Sequence, residues 1–119
     1  MTITKFSILI TILFLLSNCT TEKKIDEKYT IVNIDGYWDL GYSLGEGNSI
    51  GRIDNISKAG WKFNYIYGVS DGKYYWFDKT KDDKYNNAED IVIGPLTKKI
   101  FYNKMDSLGI KNIIFQIEL

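Results

Sequence analysis

The sequence contains no histidine, one cysteine and one proline among its 119 residues. Without histidine, the chain can form neither a Ser-His-Asp or Cys-His nucleophile system nor a His-ligated metal site. It has no phosphate-binding loop of the form G-x-x-x-x-G-K-[ST]. Residues 41–45 spell G-x-S-x-G, but a nucleophile elbow of that form also needs a histidine. We therefore predict no catalytic residue, no metal site and no cofactor.

Residues 1–18 have the pattern of a secretion signal. Lys5 is the only charged residue before Glu22, and residues 6–16 form a largely apolar run. This run has about half of the roughly 20 residues that a membrane-spanning helix needs. A short basic start followed by a short apolar run indicates a cleaved signal peptide.

The single cysteine, Cys19, follows directly after this signal, so the chain cannot form an intramolecular disulfide. The preceding residues, Leu16-Ser17-Asn18, resemble the lipobox of bacterial lipoproteins, in which the cysteine becomes the lipid-bearing first residue. Leu16 and Ser17 match that pattern, whereas Asn18 departs from the usual Gly, Ala or Ser. We predict lipid attachment at Cys19 and a location in the cell envelope, on the periplasmic or surface face of a bacterial membrane. Ordinary cleavage nearby, with Cys19 incidental, is the alternative.

Removal of residues 1–18 takes one lysine from 15 basic residues and none from 15 acidic residues, which leaves a formal charge of −1. A near-neutral chain lacks the basic surface that nucleic acid requires, so we predict no nucleic-acid partner. Residues 20–28 are polar and mixed in charge, and they predict a flexible tether over 19–28. The remaining residues, 29–119, are enough for one small domain.

Alternating and β-branched segments predict about five to seven strands from residue 29 onward. Residues 61–67 have the clearest alternation, with aromatic residues at every second position, and Asp71-Gly72 predicts a tight turn into residues 73–78. Residues 90–93 predict a short buried strand, and residues 113–119 a last strand. Thr97 and Gly109 suit the two ends of a helix over 98–108, with Leu96, Ile100, Phe101, Met105 and Leu108 on one side. The expected fold is α+β, a mostly antiparallel sheet with one C-terminal helix packed on it and a last strand.

Roughly residues 30–119 also resemble small bacterial lipoproteins of unknown function, most clearly at their ending and loosely at a turn in their middle, over residues 67–72. The resemblance rests on Ile93-Gly94-Pro95-Leu96-Thr97, then Phe101, Lys104 and Leu108-Gly109-Ile110, while Lys98-Lys99 departs from the acidic helix start of that family. It implies the same fold and the same envelope location, and it implies no activity.

Three groups of side chains are candidates for function. Aromatic residues are abundant, with three Trp, nine Tyr and six Phe, and both faces of residues 73–77 are aromatic. One face is expected to be core, while the other either packs under the helix or offers Tyr74, Trp76 and Trp61 to a partner.

The acids Asp35, Asp39, Glu46 and Asp54 could form a carboxylate pair that cleaves glycosides. The oxygen-rich loop over residues 78–90 could bind calcium through Asp78, Asp82, Asp83, Asn86, Asn87, Glu89 and Asp90, although a solvated loop is the expected structure.

These observations lead to two functional hypotheses. The first is a non-catalytic binding module, anchored to a membrane through lipid and directed at another envelope protein, as an immunity protein against a toxin would be. The second is a small carboxylate-dependent hydrolase of envelope glycans. The sequence identifies no small-molecule ligand for either.

Overall fold

The computed structural model describes residues 22–119, and it is an α+β fold dominated by antiparallel strands, as predicted. The nine strands are β1 (Glu22–Lys24), β2 (Tyr29–Ile34), β3 (Tyr37–Gly45), β4 (Asn48–Ile53), β5 (Ile56–Lys62), β6 (Tyr65–Ser70), β7 (Lys73–Asp78), β8 (Ile93–Leu96) and β9 (Ile117–Glu118). A 3-10 turn (Lys79–Lys81) and two helices, α1 (Ala88–Ile91) and α2 (Lys98–Ser107), complete the fold. The strands form a first sheet in the order β1-β2-β3-β4 and a second sheet in the order β8-β7-β6-β5-β9.

Tight two-residue turns join most neighbouring strands. Asp35-Gly36, Glu46-Gly47 and Asp71-Gly72 each have positive φ at both residues, which is the backbone of a type I′ hairpin turn and the reason why glycine occupies the second position. The predicted turn at Asp71-Gly72 is confirmed.

The predicted single strand over residues 61–67 is wrong, because the chain reverses at Phe63. This residue has φ +55 and lies between β5 and β6, where Lys62 pairs with Tyr65. The two turn residues keep the alternation of aromatic and polar residues along the sequence. After the turn, however, the aromatic residues lie on the opposite face of the sheet. Trp61 therefore shares a face with Ile66 rather than with Tyr65. Such extra turns explain why the structure has more strands than the sequence predicted.

The second sheet is the middle of three layers. One of its faces packs against the first sheet and forms a core that includes Ile66 and Phe77 from the second sheet with Tyr29, Ile31 and Leu40 from the first. Its other face packs beneath α2 and the C-terminal segment and forms a second core, whose buried members are Tyr67, Val69, Tyr74, Trp76, Phe101, Met105 and Ile110.

Helix α2 lies where the sequence predicted it. The Thr97 side chain accepts a hydrogen bond from the Ile100 amide at 3.3 Å, and Gly109 follows the helix with φ +86. Phe101 and Met105 are fully buried, whereas Ile100 is 55% exposed, so its predicted place on the buried side is wrong. Ile100 follows Thr97 by three residues and points away from the sheet.

Three predicted segments differ from the structure. Residues 22–28 of the predicted tether belong to the folded domain, because β1 pairs with β2 and the Asp26 carboxylate accepts hydrogen bonds from the amides of Lys28 and Tyr29. The predicted strand over 90–93 is instead the end of α1 and the start of β8. In the last segment only Ile117–Glu118 pairs as a strand, with β5.

Cys19 and the predicted signal peptide lie outside the described residues. Among residues 22–119, no helix is long and apolar enough to cross a membrane.

Candidate functional site

Two of the aromatic residues predicted to meet a partner, Tyr74 and Trp76, are core residues. They are 9% and 7% exposed and lie beneath α2, where the Tyr74 ring stacks on Phe101 with 5.0 Å between ring centroids. Of the two possibilities for this face of β7, packing under the helix is the one observed, so Tyr74 and Trp76 do not face a partner. The first sheet covers the other face of β7. Trp61 is half-buried against the core between the two sheets.

Trp76 also borders a small pocket of about 290 Å³. Its indole Nε1 is buried without a hydrogen-bond partner, and no other buried side-chain nitrogen or oxygen among residues 22–119 is in that state. A buried donor without an acceptor costs free energy, so such groups are uncommon. The charged residues around the pocket are Asp78, Lys81, Glu89 and Asp90.

A buried ion pair joins Arg52 of β4 to Asp82 in the loop after β7. Arg52 Nε donates to Asp82 Oδ2 at 2.8 Å and Nη2 donates to Oδ1 at 2.9 Å, which is the two-pronged geometry typical of strong Arg–carboxylate pairs. Both side chains are inaccessible to solvent. This pair was not predicted from the sequence, because Asp82 lies in a polar segment that predicted a solvated loop.

The remaining polar atoms of this cluster are also paired. The Tyr29 hydroxyl donates to Asp82 Oδ2 at 2.9 Å, and Arg52 Nη2 donates to the carbonyl oxygens of Asp83 and Asn86, each at 3.1 Å. The ion pair is buried, and its polar groups are hydrogen-bonded. It holds the loop over residues 79–87 against the first sheet. This geometry supports a structural role rather than chemistry on a substrate.

The pKa values of this cluster agree with such a role. Burial alone would raise the pKa of Asp82, but hydrogen bonds from Arg52 and Tyr29 and the charge of Arg52 outweigh burial and lower the pKa below its ordinary 3.8. Burial, followed by the hydrogen bond to the Asp82 carboxylate, raises the pKa of the Tyr29 phenol well above its ordinary value. At neutral pH the cluster therefore consists of a carboxylate, a guanidinium and a neutral phenol.

Other acids of the predicted calcium loop bind their own backbone. Asp78 accepts from the Thr80 amide at 2.9 Å, Asp83 from the Tyr85 amide at 2.8 Å, and Asp90 from the Asn87 amide at 3.1 Å. In the part of the chain that the structure describes, no three acidic side chains gather as metal ligands would. These acids shape turns and helix ends.

Two of the four acids predicted to form a carboxylate pair, Asp35 and Glu46, lie far apart. Asp35 and Glu46 occupy the turns at opposite ends of β3, a strand of nine residues that spans about 30 Å. Asp39 accepts a hydrogen bond from the Asn55 amide at 2.7 Å and thereby fixes the link between the two sheets. Asp54 lies in that same link.

The outward face of the first sheet carries a groove of about 240 Å³, which we call the outer groove. Its charged lining residues are Glu22, Lys24, Asp26, Glu27 and Glu46. Glu22 accepts a hydrogen bond from the Thr30 hydroxyl, and Asp26 pairs with Lys79 at 3.1 Å. The side chains of Glu27, Glu46 and Lys24 are exposed and form no hydrogen bond or ion pair with another described residue, so the groove offers two uncommitted carboxylates and one uncommitted ammonium.

At the far end of the same sheet, residues 34–37 form what we call the apolar turn. Ile34 pairs directly with Tyr37 across Asp35-Gly36, and the two side chains are 51% and 59% exposed. Cross-strand partners share a face, so their side chains are adjacent. The next residue, Trp38, is half-buried, and Lys23 Nζ lies 5.8 Å from the centre of its ring.

Comparison with protein-family models, with curated proteins and with solved structures finds no match to this chain. The resemblance to small bacterial lipoproteins therefore stays a prediction from the residues that carry it.

Proposed function

We propose that this protein is a non-catalytic binding module, held at the cell envelope by lipid on Cys19 and directed at another envelope protein. The signal pattern and the lipobox-like residues before Cys19 support the anchor. Strand β1, which includes Glu22, lies only three residues after Cys19 in the sequence, so a lipid on Cys19 would hold the domain close to the membrane.

The observation that carries the binding role is the outer groove. It is a concave surface on a rigid sheet, and its two uncommitted carboxylates, Glu27 and Glu46, favour a partner segment that carries lysine, arginine or backbone N–H donors. A basic loop of another envelope protein has this chemistry, and a toxin neutralised at the envelope is one concrete example. With Tyr74 and Trp76 buried, the outer groove replaces the aromatic strand as the proposed contact surface.

Cross-linking followed by pull-down from the native envelope tests the partner. A Glu27→Lys, Glu46→Lys variant should lose the cross-linked partner, because the partner's positive charges would then face lysines. Glu118→Lys is the matched control, since Glu118 is also exposed but lies on β9 in the second sheet. Equal capture by wild type and by the double variant would contradict the groove as the contact surface.

The anchor has a test of its own. Cys19→Ser should move the protein from the membrane fraction to the soluble fraction, and a mass increase corresponding to acyl groups should disappear from the mature wild-type chain. Retention of Cys19→Ser in the membrane fraction, with an unmodified wild-type mass, would remove the lipid anchor.

The alternative, a carboxylate-dependent glycan hydrolase, is favoured by one feature, the pocket beside Trp76. Three carboxylates, those of Asp78, Glu89 and Asp90, border it together with Trp76. Release of reducing sugar from cell-wall glycans by the purified protein, abolished by Glu89→Gln, would establish this activity and displace the binding module. No release at high protein concentration would remove the alternative.

A further inference from the structure

The apolar turn has no covering partner among residues 22–119, and its place in the sheet suggests what covers it. We infer that Ile34 and Tyr37 dock on the surface of the lipid bilayer that holds the protein. This inference rests on the proposed anchor at Cys19 and adds to it an orientation of the domain.

The direction of β1 places the anchor beside this turn. Lys24 pairs with Thr30, and Glu22 pairs with Val32. The N-terminal end of β1 therefore lies nearer to Ile34 than its C-terminal end does. The three residue steps between Cys19 and Glu22 span at most about 11 Å. Ile34 lies two residues beyond Val32, about 7 Å along the strand. A lipid on Cys19 would thus enter the bilayer within reach of the apolar turn.

The side chains at this turn suit the boundary between lipid and water. Ile34 can enter the acyl region, while Tyr37 is of a type that concentrates at the level of the headgroups. Two exposed side chains would bind lipid weakly on their own, but a covalent anchor within reach of the same turn makes their contact intramolecular and raises their effective concentration.

The charges near the turn indicate the lipid class. Asp35 lies within the turn, and Glu22 and Asp39 flank Val32 on the same outward face as Ile34 and Tyr37. These carboxylates oppose docking through a polybasic mechanism on anionic lipid. The contact we infer is with zwitterionic lipid, and it depends on apolar and aromatic side chains.

This docking would orient the outer groove. Glu46 lies at the other end of β3 from the apolar turn, about 30 Å away along the strand. With the turn on the lipid, the Glu46 end of the groove would point away from the membrane and stay open to a partner.

Labels at two matched positions test the orientation. Tyr37→Cys and Phe63→Cys replace exposed aromatic residues in tight turns, 59% and 64% exposed. Positions 37 and 63 lie at opposite ends of the domain. The Asn64 carbonyl, next to Phe63, accepts a hydrogen bond from the Lys79 amide, and the Lys79 side chain pairs with Asp26. Asp26 precedes β2, whereas the apolar turn follows it. Ile34→Cys is a second reporter on the apolar turn.

The experiment uses the full-length lipidated protein in vesicles of phosphatidylcholine and phosphatidylethanolamine, with a nitroxide on the introduced cysteine. Collision rates with oxygen, which concentrates in lipid, and with a water-soluble nickel complex report the depth of each label. We expect the labels at positions 37 and 34 to favour oxygen over nickel by several-fold relative to the label at position 63.

Each outcome decides a separate point. Vesicle-bound protein with the labels at 34 and 37 in lipid, and the label at 63 in water, supports the docking. Vesicle-bound protein with all three labels equally exposed to nickel overturns the docking and leaves the anchor intact. Protein that stays out of the vesicles, with Cys19 itself open to the label, overturns the anchor and the docking together.

Discussion

Strand β7 and the hairpin of β2 and β3 both carry aromatic residues, but they lie in opposite environments. Each carries aromatic side chains next to a two-residue turn that ends in glycine, yet Tyr74 of β7 is 9% exposed and Tyr37 of β3 is 59% exposed. Strand β7 lies in the middle layer, with the first sheet on one face and α2 on the other. The hairpin lies in an outer layer, where only its inward face is covered. Position in the layers, rather than aromatic content, therefore decides which tyrosine is available to a partner or to lipid.

Among single substitutions, the buried side of this comparison predicts the largest effect. Phe101→Ala should lower the free energy of unfolding by about 3–5 kcal/mol, because Phe101 is fully buried and its ring contacts Tyr67 and Tyr74. Urea unfolding measures the loss. The neighbouring Tyr102→Ala is the control and should cost less, since Tyr102 is 38% exposed. Equal losses for the two variants would mean that α2 does not cover β7 through Phe101.

The ion pair between the first sheet and the loop after β7 predicts the next largest effect. Arg52→Met leaves a buried Asp82 carboxylate without its cation and should cost about 3 kcal/mol, at the lower end of the usual range because Tyr29 still donates to Asp82. The double variant Arg52→Met, Asp82→Asn should regain part of this loss. A double variant less stable than Arg52→Met would show that the carboxylate itself, rather than its lost partner, stabilises the loop.

Acid should weaken the same connection. The pKa of Asp82 is lowered in the folded state from an ordinary 3.8. The pKa of Asp26 is lowered as well, because hydrogen bonds from the Lys28 amide and from Lys79 outweigh the effect of burial. A carboxyl group whose pKa is lower in the folded state than in the unfolded state stabilises the fold at pH values above its unfolded pKa. This stabilisation is lost as the pH falls through the folded pKa. The free energy of unfolding should thus decrease below about pH 4. In Asp82→Asn this decrease should be smaller, and an identical acid profile in both proteins would contradict the shift.

The exposed side predicts the smallest effect. Ile34→Ser with Tyr37→Ser should change the free energy of unfolding by less than about 1 kcal/mol, because these side chains lose only a cross-strand contact. The contrasting pair, Tyr74→Ser with Trp76→Ser, should prevent folding. Circular dichroism and urea unfolding distinguish the two outcomes. A large loss of stability from the Ile34 and Tyr37 changes would mean that the apolar turn is part of the core.

Local chemistry made some elements predictable. Thr97, Gly109 and the spacing of Phe101 and Met105 predicted α2, because caps and helical spacing act within a few residues. Asp71-Gly72 predicted its turn for the same reason, since positive φ is a property of the turn residues themselves. These features depend on neighbours in sequence and need no knowledge of the rest of the fold.

Other elements were mispredicted because their cause lies far away in sequence. Phe63 continues the alternation of a strand, and only the pairing of Lys62 with Tyr65 shows that a turn is present there. Asp82 resembles the other acids of a polar loop, and its burial depends on Arg52, 30 residues earlier. The polar residues 22–28 predicted a tether, but residues 22–24 pair with β2 in the first sheet, and the amides of Ile25 and Asp26 bind the carbonyl of Tyr29.

By itself the sequence determined the chemistry that this protein can carry and the elements that short-range physics controls. The absence of histidine removes whole classes of active site, and Cys19 after an apolar run predicts an anchor, because these properties belong to residue types and to their order. Only the tertiary structure decided which aromatic residues are buried and which acids are uncommitted. Burial and pairing depend on contacts between distant segments, so Tyr74 lies in the core while Tyr37 is left at the surface.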